Sequence, residues 1–155
     1  MLQEGDDAPD FTIPSSGGGE VALSTLRRKW VVLYFYPRDL TPGCTREAEA
    51  FRDAAGKLRK LHAVVVGVSK DSIASHEKFV DKCGLNFPLA SDATGQVIKA
   101  YGAWGKKNLY GKVSEGIVRT TVLIDPEGKV ARIFPKVKVE GHADEVIAAI
   151  QEAKK

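Results

Sequence analysis

Apolar positions are distributed along the chain in two distinct ways. Trp30-Val31-Val32-Leu33-Tyr34-Phe35-Tyr36 is uninterrupted and rich in β-branched and aromatic residues. Such a run predicts a strand covered on both faces. Ala63-Val64-Val65-Val66-Gly67-Val68 predicts a second. Between them, Ala48, Phe51, Ala55 and Leu58 recur at three- and four-residue steps, which predicts a helix from about Pro42 to Leu61. A further helix, capped by Asp71 or Ser72, carries Ile73, His76, Phe79, Val80 and Cys83 and stops at Gly84.

The remaining segments complete an alternating order. Ala8 to Ile13 and Glu20 to Leu23 flank the turn Ser15-Ser16-Gly17-Gly18-Gly19 and predict an N-terminal hairpin. Ser24 is placed to cap a short helical turn. Phe87 to Ala90 predicts a short strand and Gly95 to Tyr101 a short helix. Gly102 to Ser114, rich in Gly and Lys, reads as a loop. Ile117 to Ile124 and Val130 to Phe134 form a hairpin around Asp125-Pro126-Glu127-Gly128, and a helix from about His142 to Ala153 closes the chain. A hairpin, a parallel βαβα unit, an antiparallel pair and a last helix predict an α/β, thioredoxin-like fold. Its central mixed sheet would be flanked by helices, with residues 1–155 as a single domain. The crossover rule fixes the hand of the first βαβ unit as right-handed.

Composition narrows the function classes. The net charge is only +3, with no basic arm or dense Lys/Arg tract, so no nucleic-acid partner is expected. The first residues, Met1-Leu2-Gln3-Glu4-Gly5-Asp6-Asp7, are acidic and lack the apolar core of a secretory signal. No apolar run approaches a membrane span. A cytoplasmic location is the expectation. Cys44 and Cys83 are the only two cysteines, which suits a chemical or incidental thiol better than a disulfide framework.

The candidate chemistry lies in Tyr36-Pro37-Arg38-Asp39-Leu40-Thr41-Pro42-Gly43-Cys44-Thr45-Arg46-Glu47. This stretch leaves a buried strand and opens a helix. Thr41 suits the N-cap and Pro42 the first helical position, so Cys44 falls in the first turn. There the backbone N–H groups lack helical partners and the helix dipole is positive. Both favour a thiolate, the nucleophilic form. Gly43 would let a substrate approach the backbone closely. Read alone, a cysteine in this position is more often a small apolar residue at a helix start. The arrangement around it favours the nucleophile.

These residues resemble the peroxiredoxins, and within them the bacterioferritin comigratory protein group, or PrxQ. The family pattern Pro-x-x-x-Thr-x-x-Cys is met by Pro37, Thr41 and Cys44. The longer form Phe-Tyr-Pro-x-Asp-x-Thr-Pro-Gly-Cys-Thr-x-Glu is met from Phe35 to Glu47. Further matching segments run from Gly5 to Phe11, Gly67 to Asp71, Phe87 to Asp92 and Arg119 to Asp125. The resemblance implies a thiol peroxidase. Cys44 would be the peroxidatic cysteine, Thr41 would hydrogen-bond the peroxide, and Arg119 would hold the thiolate and polarise the departing oxygen. Pro37 would shield the sulfur. Substrates would be hydroperoxides, and thioredoxin or another thiol would be the reductant. No cofactor or metal is implied, and the group tends to monomers or weak dimers.

Other residues admit two readings each. Many PrxQ proteins carry a second cysteine five residues after the first, where this chain has Glu49. Cys83 is the remaining thiol; it is either a resolving partner for an unwound Cys44 or a buried residue beside Gly84. Arg119, without the resemblance, would be an ordinary surface residue of a strand. Glu47 is a supporting residue of the site or simply a helix-start carboxylate. His62, His76 and His142 lack metal-ligand spacing and read as surface or capping residues. A disulfide oxidoreductase is disfavoured because Thr41 occupies the first position of a would-be Cys-x-x-Cys. A non-catalytic binding protein is disfavoured because Cys44, Thr41 and Arg119 are all present.

Overall fold

A computed structural model describes residues 2–155, with 108 and 109 by backbone alone. The strands are β1 (Thr12–Ser15), β2 (Gly19–Ala22), β3 (Trp30–Phe35), β4 (Ala63–Ser69), β5 (Leu89–Ser91), β6 (Trp104–Leu109), β7 (Lys112–Ile117), β8 (Thr120–Ile124) and β9 (Val130–Phe134). The helices are α1 (Pro42–Asp53), α2 (Ala55–Lys60), α3 (Ile73–Cys83), α4 (Gln96–Ala100) and α5 (His142–Ala153).

One sheet runs in the order β2-β1-β5-β4-β3-β8-β9. β3, β4 and β5 are parallel, while β8 returns antiparallel to β3 and β9 to β8. This is the predicted thioredoxin-like arrangement. The unbroken apolar run of β3 follows from its place at the centre. Trp30, Val32 and Tyr34 face one layer with Ala48, Phe51, Phe79, Val146 and Ile150. Val31, Leu33 and Phe35 face the other with Phe11, Val97, Ile98 and Tyr101. Each such side chain contributes roughly 1.5–3 kcal/mol by leaving water.

Five elements differ from the sequence reading. The first strand is Thr12–Ser15, not Ala8–Ile13, because the preceding residues pair elsewhere: Gly5 N–H donates to Val130 O and Ala8 N–H to Gly128 O. The long helix is broken at Ala54, with Gly56, a poor helix former, just beyond. Ser24 lies inside a 3₁₀ turn, Leu23–Leu26, that has no side-chain cap. The predicted loop 102–114 is mostly the hairpin β6–β7, separate from the main sheet. Its turn, Tyr110-Gly111, has φ of 54° and 80°, the signature of a type I′ turn. β7 is largely exposed, so no apolar alternation marked it. The hairpin also takes Ile117 away from β8, which begins only at Thr120.

Candidate active site

β3 delivers the chain to the site and α1 carries it away. Thr41 is the N-cap residue by backbone, with φ of −80° and ψ of 154°, and Pro42 is the first helical residue. The Thr41 side chain makes no cap bond; its hydroxyl donates to Arg38 O at 2.9 Å. That bond closes the turn over Leu40, a non-glycine residue held at φ 63°. Thr41 O accepts the first helical bond, from Thr45 N–H at 2.8 Å. Cys44 thus sits among the free N–H groups of the first turn, and it is 1% exposed.

Arg119 reaches this turn from the residue before β8. Because Thr120 pairs with Phe35 across the sheet, Arg119 is level with the point where the chain leaves β3 for α1. Its guanidinium donates from Nη2 to Cys44 Sγ at 3.3 Å and from Nη1 to Glu47 Oε1 at 2.6 Å. Glu47 is 1% exposed. Burial pushes its carboxyl up to about 7, against the pull of Arg119. Glu47 Oε2 and the neighbouring core hydroxyl of Tyr34 are buried without hydrogen-bond partners among the described residues. A Cβ at Gly43 would lie 3.3 Å from Arg119 Nη2. The glycine therefore makes room for the guanidinium, whereas the sequence reading had assigned that room to a substrate. Pro37 is half-buried on the loop between β3 and α1. Lys107, on β6, is close enough for Arg119 and Cys44 to act on its charge, although burial is the largest influence and pulls its ammonium down.

The predicted residues divide accordingly. Cys44, Arg119 and Glu47 are in direct contact, and Thr41 and Pro37 occupy the loop that leads to them. Cys83 takes no part in these contacts. It ends α3, its thiol is free and pushed up by burial, and its carbonyl accepts from Arg52 Nη1 at 2.5 Å. Arg52 lies eight residues along α1 from Cys44, about 12 Å of helical rise.

The histidines are a correction. His62 is exposed, but His76 and His142 are buried, not surface residues. His142 Nε2 is 2.8 Å from Thr121 Oγ1 and Nδ1 is 2.8 Å from Glu145 Oε1. His76 joins Asp39 and Asp71 in a cluster whose ligand-type atoms lie within 4.8 Å of one another. Both His76 nitrogens, both Asp39 oxygens and Asp71 Oδ2 already serve internal hydrogen bonds. The sequence reading missed this group. Its available signals were Asp39, inside the motif between Pro37 and Thr41, and the spacing of His76 with Phe79 and Cys83 on one helical stripe.

A thiol in a helix's first turn, beside a guanidinium that also holds a carboxylate, is suited to nucleophilic attack with charge stabilisation. The chain belongs to the AhpC/TSA family, which matches residues 4–133. It is a peroxiredoxin, a thiol-dependent peroxidase. It is 44% identical to peroxiredoxin Bcp of Xanthomonas campestris, over 92% of this chain and 89% of that one. It is 41% identical to peroxiredoxin Bcp of Bacillus subtilis, over 97% and 96%. Among solved structures, the Xanthomonas campestris bacterioferritin comigratory protein, studied for its alkyl peroxide reduction, superposes with a TM-score of 0.89 at 42% identity, covering 94% of this chain and 92% of that one. No helix among the described residues is long and apolar enough to cross a membrane.

Proposed function

We propose that Cys44 is the residue through which this peroxidase works, and that hydrogen peroxide and organic hydroperoxides are its substrates. The thiolate attacks the terminal peroxide oxygen. An S–O bond forms as the O–O bond breaks; the departing oxygen takes a proton and leaves as water or an alcohol, and Cys44 becomes a sulfenic acid. Arg119 stabilises the sulfur before the step and the departing oxygen during it. Thr41 orients the peroxide through its hydroxyl, Pro37 limits water at the sulfur, and Glu47 steadies Arg119. The observation that carries this reading is the contact of Arg119 Nη2 with Cys44 Sγ at 3.3 Å.

Reduction then needs a thiol. A first thiolate attacks the sulfenic sulfur and expels water, and a second thiol cleaves the mixed disulfide. The location of Cys83 near Arg52, and its burial, support a one-cysteine cycle in which both thiols come from outside, with thioredoxin or another thiol as donor. The reading extends to antioxidant defence in the cytoplasm by a monomer or weak dimer, and the alkyl peroxide activity of the Xanthomonas relative supports the organic substrates.

The test is slightly less than one equivalent of hydrogen peroxide on reduced protein, followed by intact mass and peptide mapping. A sulfenic acid at Cys44 is the expected product, absent in Cys44→Ser. Persistence of peroxide with Cys44 still a thiol would sink the reading.

A further inference from the structure

His76 is 0% exposed, and both of its ring nitrogens face oxygen. Nε2 is 3.0 Å from the backbone oxygen of Ala90. A carbonyl only accepts, so Nε2 carries a hydrogen. Nδ1 is 2.7 Å from Asp39 Oδ2. Burial pushes the Asp39 carboxyl up, but hydrogen bonds from His76, Tyr36 and Ser75 outweigh it and hold it below the ordinary carboxylate range. A carboxylate only accepts, so a hydrogen on Nδ1 makes this contact an ion pair, buried inside the protein.

The pair has a supporting shell. Tyr36 Oη donates to Asp39 Oδ1 at 2.5 Å and Ser75 Oγ donates to Oδ2 at 2.7 Å. Asp39 N–H donates to Asp71 Oδ2 at 2.8 Å, which also accepts from Ser69 Oγ at 2.8 Å. The titratable groups facing His76 are therefore Asp39 from the loop after β3, Tyr36 from the end of β3, and Asp71 from the turn before α3.

The location gives this pair a consequence. Asp39 lies two residues before the N-cap Thr41 and five before Cys44, in the loop that also holds Pro37. His76 lies on α3. The ion pair is thus a tie between the loop that shapes the site and a helix outside it. Cys44 is 1% exposed. A peroxide is small, but the thiol of another molecule needs the first turn of α1 to open before it can reach the sulfur. We propose that the Asp39–His76 ion pair is the latch of the site: it holds the Pro37–Thr41 loop closed for peroxide attack, and its release sets how fast oxidised Cys44 meets an external thiol. His76 touches no reacting atom and acts through Asp39, so it is a positioning residue. The inference rests on the reading of Cys44 as the oxidised residue.

Two rates move in opposite directions if this is right. In His76→Leu, oxidation of Cys44 by sub-equivalent peroxide slows at least tenfold. Capture of the preformed sulfenic acid by dimedone, a carbon nucleophile from solution, speeds at least tenfold. His76→Asn keeps one donor toward Asp39 and falls between. Asp39→Asn with His76→Leu removes the stranded charge and recovers part of the change. ¹⁵N spectra of the wild type provide a check that needs no variant: the expected result is a hydrogen on both His76 nitrogens. A neutral ring, or unchanged rates in a His76→Leu protein that circular dichroism shows to be folded, overturns the latch. If wild-type Cys44 is not oxidised at all, the reading of the site fails instead.

Discussion

Arg119 Nη2 lies 3.3 Å from Cys44 Sγ across 75 residues of sequence. The antiparallel pairing of β8 with β3 makes this contact, because it sets Thr120 beside Phe35 at the point where the chain turns toward Cys44. The guanidinium then spans two partners, Sγ and Glu47 Oε1, with two different nitrogens. A lysine ammonium is a single point charge and cannot bridge both with the same geometry. Arg119→Lys is expected to slow sulfenic acid formation at Cys44 by about 10²–10³, the range for losing one positioned charge-stabilising donor. Quenched-flow mass spectrometry with sub-equivalent peroxide measures it. A rate within a few-fold of wild type would mean that charge alone, without the fork, suffices.

Gly43 separates stability from activity. It lies in the first turn of α1, where alanine is the better helix former by roughly 0.5–1 kcal/mol. Its Cβ, however, would meet Arg119 Nη2 at 3.3 Å, tight enough that the guanidinium must give way. Gly43→Ala should raise the melting temperature slightly while slowing peroxide reduction several-fold. A drop in both would locate the glycine's role in the backbone rather than in the space it leaves for Arg119.

The legibility of the sequence followed the strength of its periodic signals. β3, β4, α3 and α5 were readable because each buries a continuous run or a regular stripe. The hairpin β6–β7 was not, since Lys106, Lys112 and Glu115 face water and leave no alternation to detect. Cys44 and Thr41 were readable because cap, proline and thiol are neighbours in sequence. Arg119 came only from the resemblance, as no local pattern encodes a sheet register. The Asp39–His76 pair was hidden for the same reason: each residue looks like an ordinary polar residue until α3 packs beside the loop.

Cys83 bears on how the cycle closes. Its thiol is free and its carbonyl accepts from the Arg52 guanidinium, and a disulfide needs Cα atoms within about 7 Å. Cys83→Ala should form the Cys44 sulfenic acid at the wild-type rate and turn over with dithiothreitol within twofold of wild type. The loss of a small buried side chain should lower stability by about 1 kcal/mol. A Cys44–Cys83 disulfide in peroxide-treated wild type, seen by non-reducing peptide mapping, would establish instead that α1 and α3 both rearrange during turnover.

Glu47 should leave a pH signature on stability. Burial raises its carboxyl from 4.5 to about 7. A group raised on folding binds its proton more tightly in the folded state, so its stabilising contribution is complete below the unfolded value. That contribution is lost as pH climbs through about 7. A shift of this size corresponds to something on the order of 3 kcal/mol. Glu47→Gln cannot titrate, so urea midpoints of the variant should gain on wild type between about pH 4.5 and about pH 7 and level off above that. Its amide oxygen can still accept from Arg119, without the charge, so the peroxide step should slow only about tenfold, less than in Arg119→Lys. A stability difference that stays constant across the window would mean that Glu47 is ionised throughout, with Arg119 outweighing burial. In that case the carboxylate and the guanidinium act as one fixed ion pair, and the variant should slow the peroxide step as severely as Arg119→Lys does.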